Sequence, residues 1–266
     1  MVAPSNPGVT LPANLEAARI DSIPSTAYYI PNFISIEEEQ LILDKIAAAP
    51  KPRWKQLTHR RLQTWPSDLV RDKLLEAVLP PWLESPVVSR LQSIPVSPGD
   101  TVQIFSGSPH TRPNHVLINE YSPGVGIMPH KASDTDQFAI RTPQFHMPNM
   151  PNMDDIFSLG ASLCLNLHRS KDDGALNPEP AWRILQEPRS LLITTDELYT
   201  DYLHGIADIE EDVDLSAETV ANWLLLRDPS AFEGGRNARQ TRTSLTYRDV
   251  LKVSKAANKI GMFLKR

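Results

Sequence analysis

The stretch Asn119-Glu120-Tyr121-Ser122-Pro123-Gly124-Val125-Gly126-Ile127-Met128-Pro129-His130 decides how this chain is read. Residues 115–121 form a short apolar run, and strand alternation puts Asn119 and Tyr121 on one face. Gly124 and Gly126 then punctuate a turn. His130 opens a His-x-acid pattern of the kind that holds a divalent metal, yet position 132 is Ala132. Whether the chain is an enzyme turns on that residue, because a methyl group cannot ligate a metal. Asp134 and Asp136 are the next carboxylates along. Each lies ~7–13 Å of extended chain from the expected position.

Downstream, strand patterning continues. Ser158 to Arg169 alternates Leu159, Ala161, Leu163, Leu165 and Leu167 against Gly160, Ser162, Cys164, Asn166 and His168, which predicts one strand. Thr241 to Arg248 predicts another, with Arg242, Ser244, Thr246 and Arg248 on one side. Its two arginines sit ~20 Å apart at the backbone, so both side chains reach inward toward an elongated anion between them. Trp182–Gln186 and Ser190–Thr194 read as two more strands joined by Glu187-Pro188-Arg189. Short antiparallel strands with turn signals predict a mainly β fold, a sandwich or barrel.

Upstream the patterning is helical. Ser35 caps a helix over Ser35–Ala49, with Glu38 reaching back and Leu41, Ile42, Ile46 and Ala49 on one face. Ser67 to Ile94 is also helical in pattern, interrupted by Pro80-Pro81 and Pro86. Between them, residues 51–65 interleave basic groups with Trp54 and Trp65. Lys51, Arg53, Trp54, Arg60 and Arg61 are therefore candidate contacts for phosphates and bases. The plainer alternative is a solvated hairpin whose tryptophans help to cover the core.

Composition sets the outer bounds. At 266 residues with 41% hydrophobic content, the chain can bury one sizeable core, so residues 26–253 read as one elaborated domain. Residues 1–25 are expected to be a disordered N-terminal segment and 254–266 a tail. No run approaches the ~20 apolar residues of a membrane span, and residues 1–24 lack the pattern of a secretory signal. The single Cys164 excludes an intrachain disulfide and fits a reducing compartment. A net charge of −5 argues against a bulk electrostatic grip on nucleic acid, while leaving room for a local basic patch.

In their order along the chain, Asn-x-Tyr-x-x-Gly (119–124), Pro-His (129–130), Ser-Leu-Gly (158–160), Leu-His-Gly-Ile (203–206) and Arg-x-Ser-Leu-Thr-x-Arg (242–248) carry a resemblance. The chain resembles the AlkB group of Fe(II)/2-oxoglutarate dioxygenases, in the branch of the sixth mammalian homologue and its fungal relatives. Residues 27–35, 49–54 and 61–63 look like the same branch. The resemblance implies a double-stranded β-helix, or jelly roll, with helices on one face. It implies Fe(II) held by a two-histidine, one-carboxylate triad with 2-oxoglutarate as co-substrate. Carried over position by position, His130 and His204 are metal ligands, with Asp134 offered as the third and Asp136 as its alternative. Asn119, Tyr121, Arg242, Ser244 and Arg248 are the co-substrate residues, Arg242 at the far carboxylate and Arg248 nearer the metal.

The implied reaction is oxidative demethylation or hydroxylation of a nucleic acid or protein, in the nucleus and cytoplasm. The alternative, which Ala132 favours, is an inactive binding module. Resemblance lapses between His130 and Ser158, where Met147-Pro148-Asn149-Met150-Pro151-Asn152-Met153 nearly repeats itself. Residues 131–157 are expected to be irregular, either a mis-joined or alternatively spliced piece or a divergent loop. Residues 208–238 read as an insertion, a solvated loop or a lid. His59, His110, His115, His146 and His168 are expected to be surface or hydrogen-bonded structural histidines.

Overall fold

The computed structural model describes residues 8–23, 27–71, 73–131, 153–170, 175–195, 198 and 201–254. Its strands are β1 (Ala27–Ile30), β2 (Lys55–Gln56), β3 (Arg61–Trp65), β4 (Leu74–Leu75), β5 (His115–Tyr121), β6 (Ile127–Lys131), β7 (Met153–Leu159) and β8 (Leu163–His168). They continue as β9 (Trp182–Gln186), β10 (Ser190–Thr195), β11 (Leu203–Ile206), β12 (Glu211–Asp212), β13 (Asn237–Ala238), β14 (Arg242–Arg248) and β15 (Val253–Ser254). A seven-stranded sheet in the order β1-β10-β7-β14-β5-β3-β2 faces a four-stranded sheet in the order β6-β11-β8-β9. Every pairing within these two sheets is antiparallel. This is the jelly roll that the resemblance implied, and it agrees with the sandwich or barrel expected from the strand patterning.

One helix, α1 (Ile36–Ala47), and a second helical stretch over residues 81–93 cover the outer face of the large sheet. The Ser35 hydroxyl accepts the Glu38 N–H at 3.2 Å and the Glu38 carboxylate accepts the Ser35 N–H at 2.8 Å, so α1 opens with a reciprocal cap. Arg90 grips the same carboxylate through both terminal nitrogens, at 2.6 and 2.7 Å, and ties the two helical segments together. Ile42 and Ile46 face the core, whereas Leu41 is half exposed and falls outside the expected apolar stripe. Residues 67–80 are not helical. Proline forces the residue before it out of helical geometry, so the helix begins at Pro81.

Several expectations need correction. The strand expected over Ser158–Arg169 is two strands in different sheets. Gly160 sits between them with φ of +81°, and a Cβ there would lie 2.8 Å from the Thr241 carbonyl oxygen. Its N–H donates to Glu39 at 2.8 Å, which anchors this turn to α1. The segment read as irregular to residue 157 is β-strand from Met153 on, paired with both β10 and β14. The rest of it, including the near-repeat, His146 and the ligand candidates Asp134 and Asp136, lies outside the described residues.

The N-terminal segment read as disordered is folded over much of its length. Leu15, Ala18, Ile20 and Ile23 are each at most 4% exposed, and a turn of 3-10 helix over Leu15–Ala18 is capped by Asn14. These residues cover sheet edges that would otherwise leave apolar surface in water. The insertion is also packed rather than solvated: Leu215, Val220, Leu226 and Phe232 join the core between the sheets. The Asn222 side chain exchanges two hydrogen bonds with the Leu185 backbone, at 2.9 and 2.8 Å, acting as an extra partner for the edge strand β9. A buried Arg239–Asp212 pair at 2.7 Å pins its base. At the other end, Ser254 of the expected tail belongs to β15, which pairs with β4.

Candidate active site

The two sheets enclose a cavity of about 550 Å³. Strand parity decides what lines it. His115, Leu117, Asn119 and Tyr121 point inward from β5, Arg242, Ser244, Thr246 and Arg248 from β14, and Leu62 and Thr64 from β3. Registers Arg242↔Tyr121, Ser244↔Asn119 and Arg248↔His115 set these rows side by side. The opposite wall is the small sheet, which contributes His130, His204, Ile206, Leu165 and Gln186.

His130 and His204 are directly cross-strand, and their ring centroids lie 4.4 Å apart. Gly205 permits this approach, because a Cβ there would fall 2.9 Å from Pro129. The Nδ1 of His130 meets the Met128 carbonyl oxygen at 2.7 Å. A carbonyl only accepts, so Nδ1 carries the proton and the neutral ring keeps its lone pair on Nε2. Loss of water around His204, then the positive potential of His130 and Arg248, push its pKa down to about 3. Both imidazoles thus have the chemistry of metal ligands. Among the described residues, no cluster of three metal-binding side chains forms.

At the other end lies Arg242, 2% exposed. Its Nε donates to the Ser158 hydroxyl at 2.9 Å and its Nη2 to Gln186 Oε1 at 2.5 Å. Burial pushes this guanidinium down to about 10, against a weaker opposing pull from Tyr121. A buried cation with neutral partners is a receptor for an anion. Burial likewise raises the Tyr121 phenol, partly offset by Arg242 and Arg60. Ser244 is buried beside Tyr121 and Asn119, and Arg248 stands at the histidine end, where its charge reaches both His204 and His115.

Of the five residues expected to meet substrate, Arg60 lines the cavity, donating to the Asn119 side chain at 3.2 Å. Arg61 stacks on Trp54 at 4.0 Å and forks onto Glu120 at 2.6 and 3.0 Å. Arg53 stacks on Trp65 at 4.1 Å and donates to two backbone carbonyls. Lys51 is exposed outside the cavity lining. These four therefore brace or flank the β2–β3 hairpin, while Lys55, Leu57 and Arg60 present its inner side to the cavity.

The sequence reading missed His115, Ser158 and Gln186. His115 has the same parity as Asn119 and Tyr121, so alternation carried the signal. It is 3% exposed in the cavity wall, with burial first and Arg248 second pushing it down to about 4, so it is not a surface histidine. Of the other histidines, His59 is exposed, His168 Nδ1 meets the Asn177 carbonyl oxygen at 3.0 Å, and His110 pairs with Asp249 at 2.5 Å. Because that carbonyl can only accept, His168 Nδ1 is the donor.

Two facing sheets that hold a histidine pair at one end of a cavity and a buried arginine at the other define a jelly roll of the Fe(II)/2-oxoglutarate oxygenase class. No protein-family profile matches the chain. A Danio rerio protein described as "Probable RNA/DNA demethylase ALKBH6" is 34% identical over 249 residues, covering 91% of this chain and 93% of that protein. Among solved structures, OsALKBH1 matches with a TM-score of 0.50 at 14% identity, over 85% of this chain and 99% of that one. An oxidoreductase of the 2OG-Fe(II) oxygenase family from Burkholderia pseudomallei matches at 12% identity and a TM-score of 0.45, over 86% and 88%. The chain belongs to the AlkB-like Fe(II)/2-oxoglutarate-dependent dioxygenases.

Proposed function

We propose that this chain oxidatively demethylates a nucleic acid, binding 2-oxoglutarate between Arg242 and the histidine pair. The observation that carries the reading is the buried guanidinium of Arg242, with no ion-pair partner among the described residues, facing two imidazoles across one cavity. Arg242 holds the far carboxylate, with Tyr121, Asn119 and Ser244 beside it, and Arg248 lies toward the metal end. His130 and His204 would supply two protein ligands to Fe(II). When bound, the iron and 2-oxoglutarate together supply an oxidant from dioxygen, with succinate and carbon dioxide as by-products.

The protein's own contribution is placement and exclusion of water. His204, kept neutral by burial, is ready to ligate without first losing a proton. Apolar Leu117, Ile127, Leu165 and Ile206 keep the space between them dry. Substrate enters past the β2–β3 hairpin, where Lys55 and Arg60 offer charge to phosphates and Leu57 offers an apolar contact. Hydroxylation of an N-methyl carbon gives a hemiaminal that falls to the free N–H and formaldehyde. The vertebrate relative is named as an RNA/DNA demethylase, which favours nucleic acid over protein as substrate.

Ala132 supports a second reading, a member that keeps the co-substrate pocket but lacks a complete metal site. The experiment is succinate and formaldehyde release from N-methylated oligonucleotides with and without added Fe(II). Metal-dependent turnover supports the dioxygenase. Salt-sensitive oligonucleotide binding with no turnover at any iron concentration supports the binding module.

A further inference from the structure

Gln186 ends β9 opposite Leu163 and has no solvent exposure. Its Oε1 accepts from Arg242 Nη2 at 2.5 Å. A guanidinium carries only donors, so the amide oxygen must face Arg242 and the nitrogen must point away from it. That nitrogen, Nε2, has no hydrogen-bond partner among the described residues, although Gln186 lines the cavity. Leaving a buried amide donor unpaired forfeits its hydration with nothing in return.

Arg242 beside it also has donors to spare. It has five donors, of which one meets Ser158 and one meets Gln186 among the described residues. Ser158 and Gln186, neither exposed, hold the guanidinium from two sides and fix its plane. The two unsatisfied groups at this end of the cavity are both donors, one charged and one neutral. A ligand group made of acceptors and bearing negative charge satisfies both donors and balances the charge, and a carboxylate has that form.

We propose that Gln186 is a specificity residue for the acidic co-substrate, its Nε2 donating to the same carboxylate that Arg242 holds. The proposal rests on the reading of the cavity as a 2-oxoglutarate site. Because the amide and the guanidinium are hydrogen-bonded to each other at one end of the cavity, they define where the carboxylate stops and so set the length of dicarboxylic acid accepted. A shorter acid anchored at the histidine end falls short of both donors, and a longer one drives its carboxylate into them.

The more severe variant is Gln186→Glu, which also sets a negative charge against Arg242, and Gln186→Leu removes the amide without adding charge. Q186E keeps an acceptor for Arg242, so the arginine stays held and the fold is retained, but it replaces the donor with a second acceptor. Calorimetric titration of 2-oxoglutarate into the Mn(II)-supplemented protein is expected to show a loss of at least 100-fold in affinity for Q186E and about 10-fold for Q186L. Glutarate, which has both carboxylates and no keto group, is titrated into metal-free protein by thermal shift to read the far end alone, and Q186E is expected to abolish its stabilisation. Unchanged binding by Q186E, with binding by the wild type, overturns the role of Gln186 and leaves the co-substrate site standing. No binding of either acid by the wild type overturns the co-substrate reading and the proposal with it.

Discussion

Replacing Arg242 with methionine should abolish co-substrate binding and leave the fold nearly intact. The drop of this guanidinium from 12.5 to about 10 corresponds to on the order of 3 kcal/mol of cost for keeping the cation buried. A carboxylate relieves that cost and accepts two charge-assisted hydrogen bonds, each worth roughly 1.5–3 kcal/mol. Removing both should raise Kd for 2-oxoglutarate by roughly 10²–10⁴-fold. In the free protein, the loss of the buried charge offsets the loss of donors to Ser158 and Gln186, so Tm should move by only a few degrees. Arg242→Lys keeps the charge without the planar fork and should fall between, about tenfold weaker than wild type. Calorimetry with Mn(II)-supplemented protein measures Kd, and calorimetric unfolding of the same samples checks the fold. A Kd for R242M within threefold of wild type would refute the assignment of the far carboxylate to this arginine.

Three further outcomes follow from other parts of the structure. Asp212→Ala strands a buried guanidinium at Arg239 and should cost about 3–5 kcal/mol in urea unfolding, and a cost under 1 kcal/mol would show that the insertion does not depend on this pair. Cys164 should resist Ellman's reagent in the native protein and react once unfolded, because burial, with Asp212 adding to it, pushes the thiol up to about 12, and rapid native labelling would contradict the packing. Burial disfavours the Glu38 carboxylate, but hydrogen bonds from Arg90 and the Ser35 N–H outweigh it and hold the carboxyl below its ordinary value. Its stabilisation is therefore present above the unfolded value of 4.5 and lost as pH falls through the lower folded value, so Glu38→Gln should flatten the acid limb of stability against pH, and parallel curves for the two proteins would exclude this linkage.

Much of the fold was legible because two periodicities are clean. The cap at Ser35 and the alternation over residues 115–121 and 242–248 became α1, β5 and β14. What misled was continuity of alternation across Gly160: period two survives a turn that carries the chain into the other sheet, and only the positive φ marks the break. Burial of the N-terminal segment was hidden for another reason. Leu15, Ala18, Ile20 and Ile23 form no regular stripe, since they fill gaps at sheet edges rather than present a face. In the site, residues on inward rows were readable, whereas the role of Gln186 depends on which oxygen or nitrogen meets Arg242, which no spacing encodes.

The arrangement of the cavity also separates two properties, metal binding and co-substrate binding. Asn119, Tyr121, Arg242, Ser244 and Arg248 stand on β5 and β14 of the large sheet, each side chain set by pairing that begins and ends within the described core. His130 and His204 stand on β6 and β11 of the small sheet, and the missing carboxylate belongs just after β6. Loss of that ligand weakens the metal without removing any group that holds the far carboxylate. The chain should therefore bind a dicarboxylic acid whether or not it turns over. Sequencing the cellular transcript across the codons for Pro129 to Gly160 then decides which it is. A message encoding His-x-Asp makes the protein an ordinary dioxygenase with full iron affinity. A message encoding Ala132 predicts iron binding weakened by at least the 10–100-fold that loss of even a supporting partner costs, with the acid pocket unimpaired.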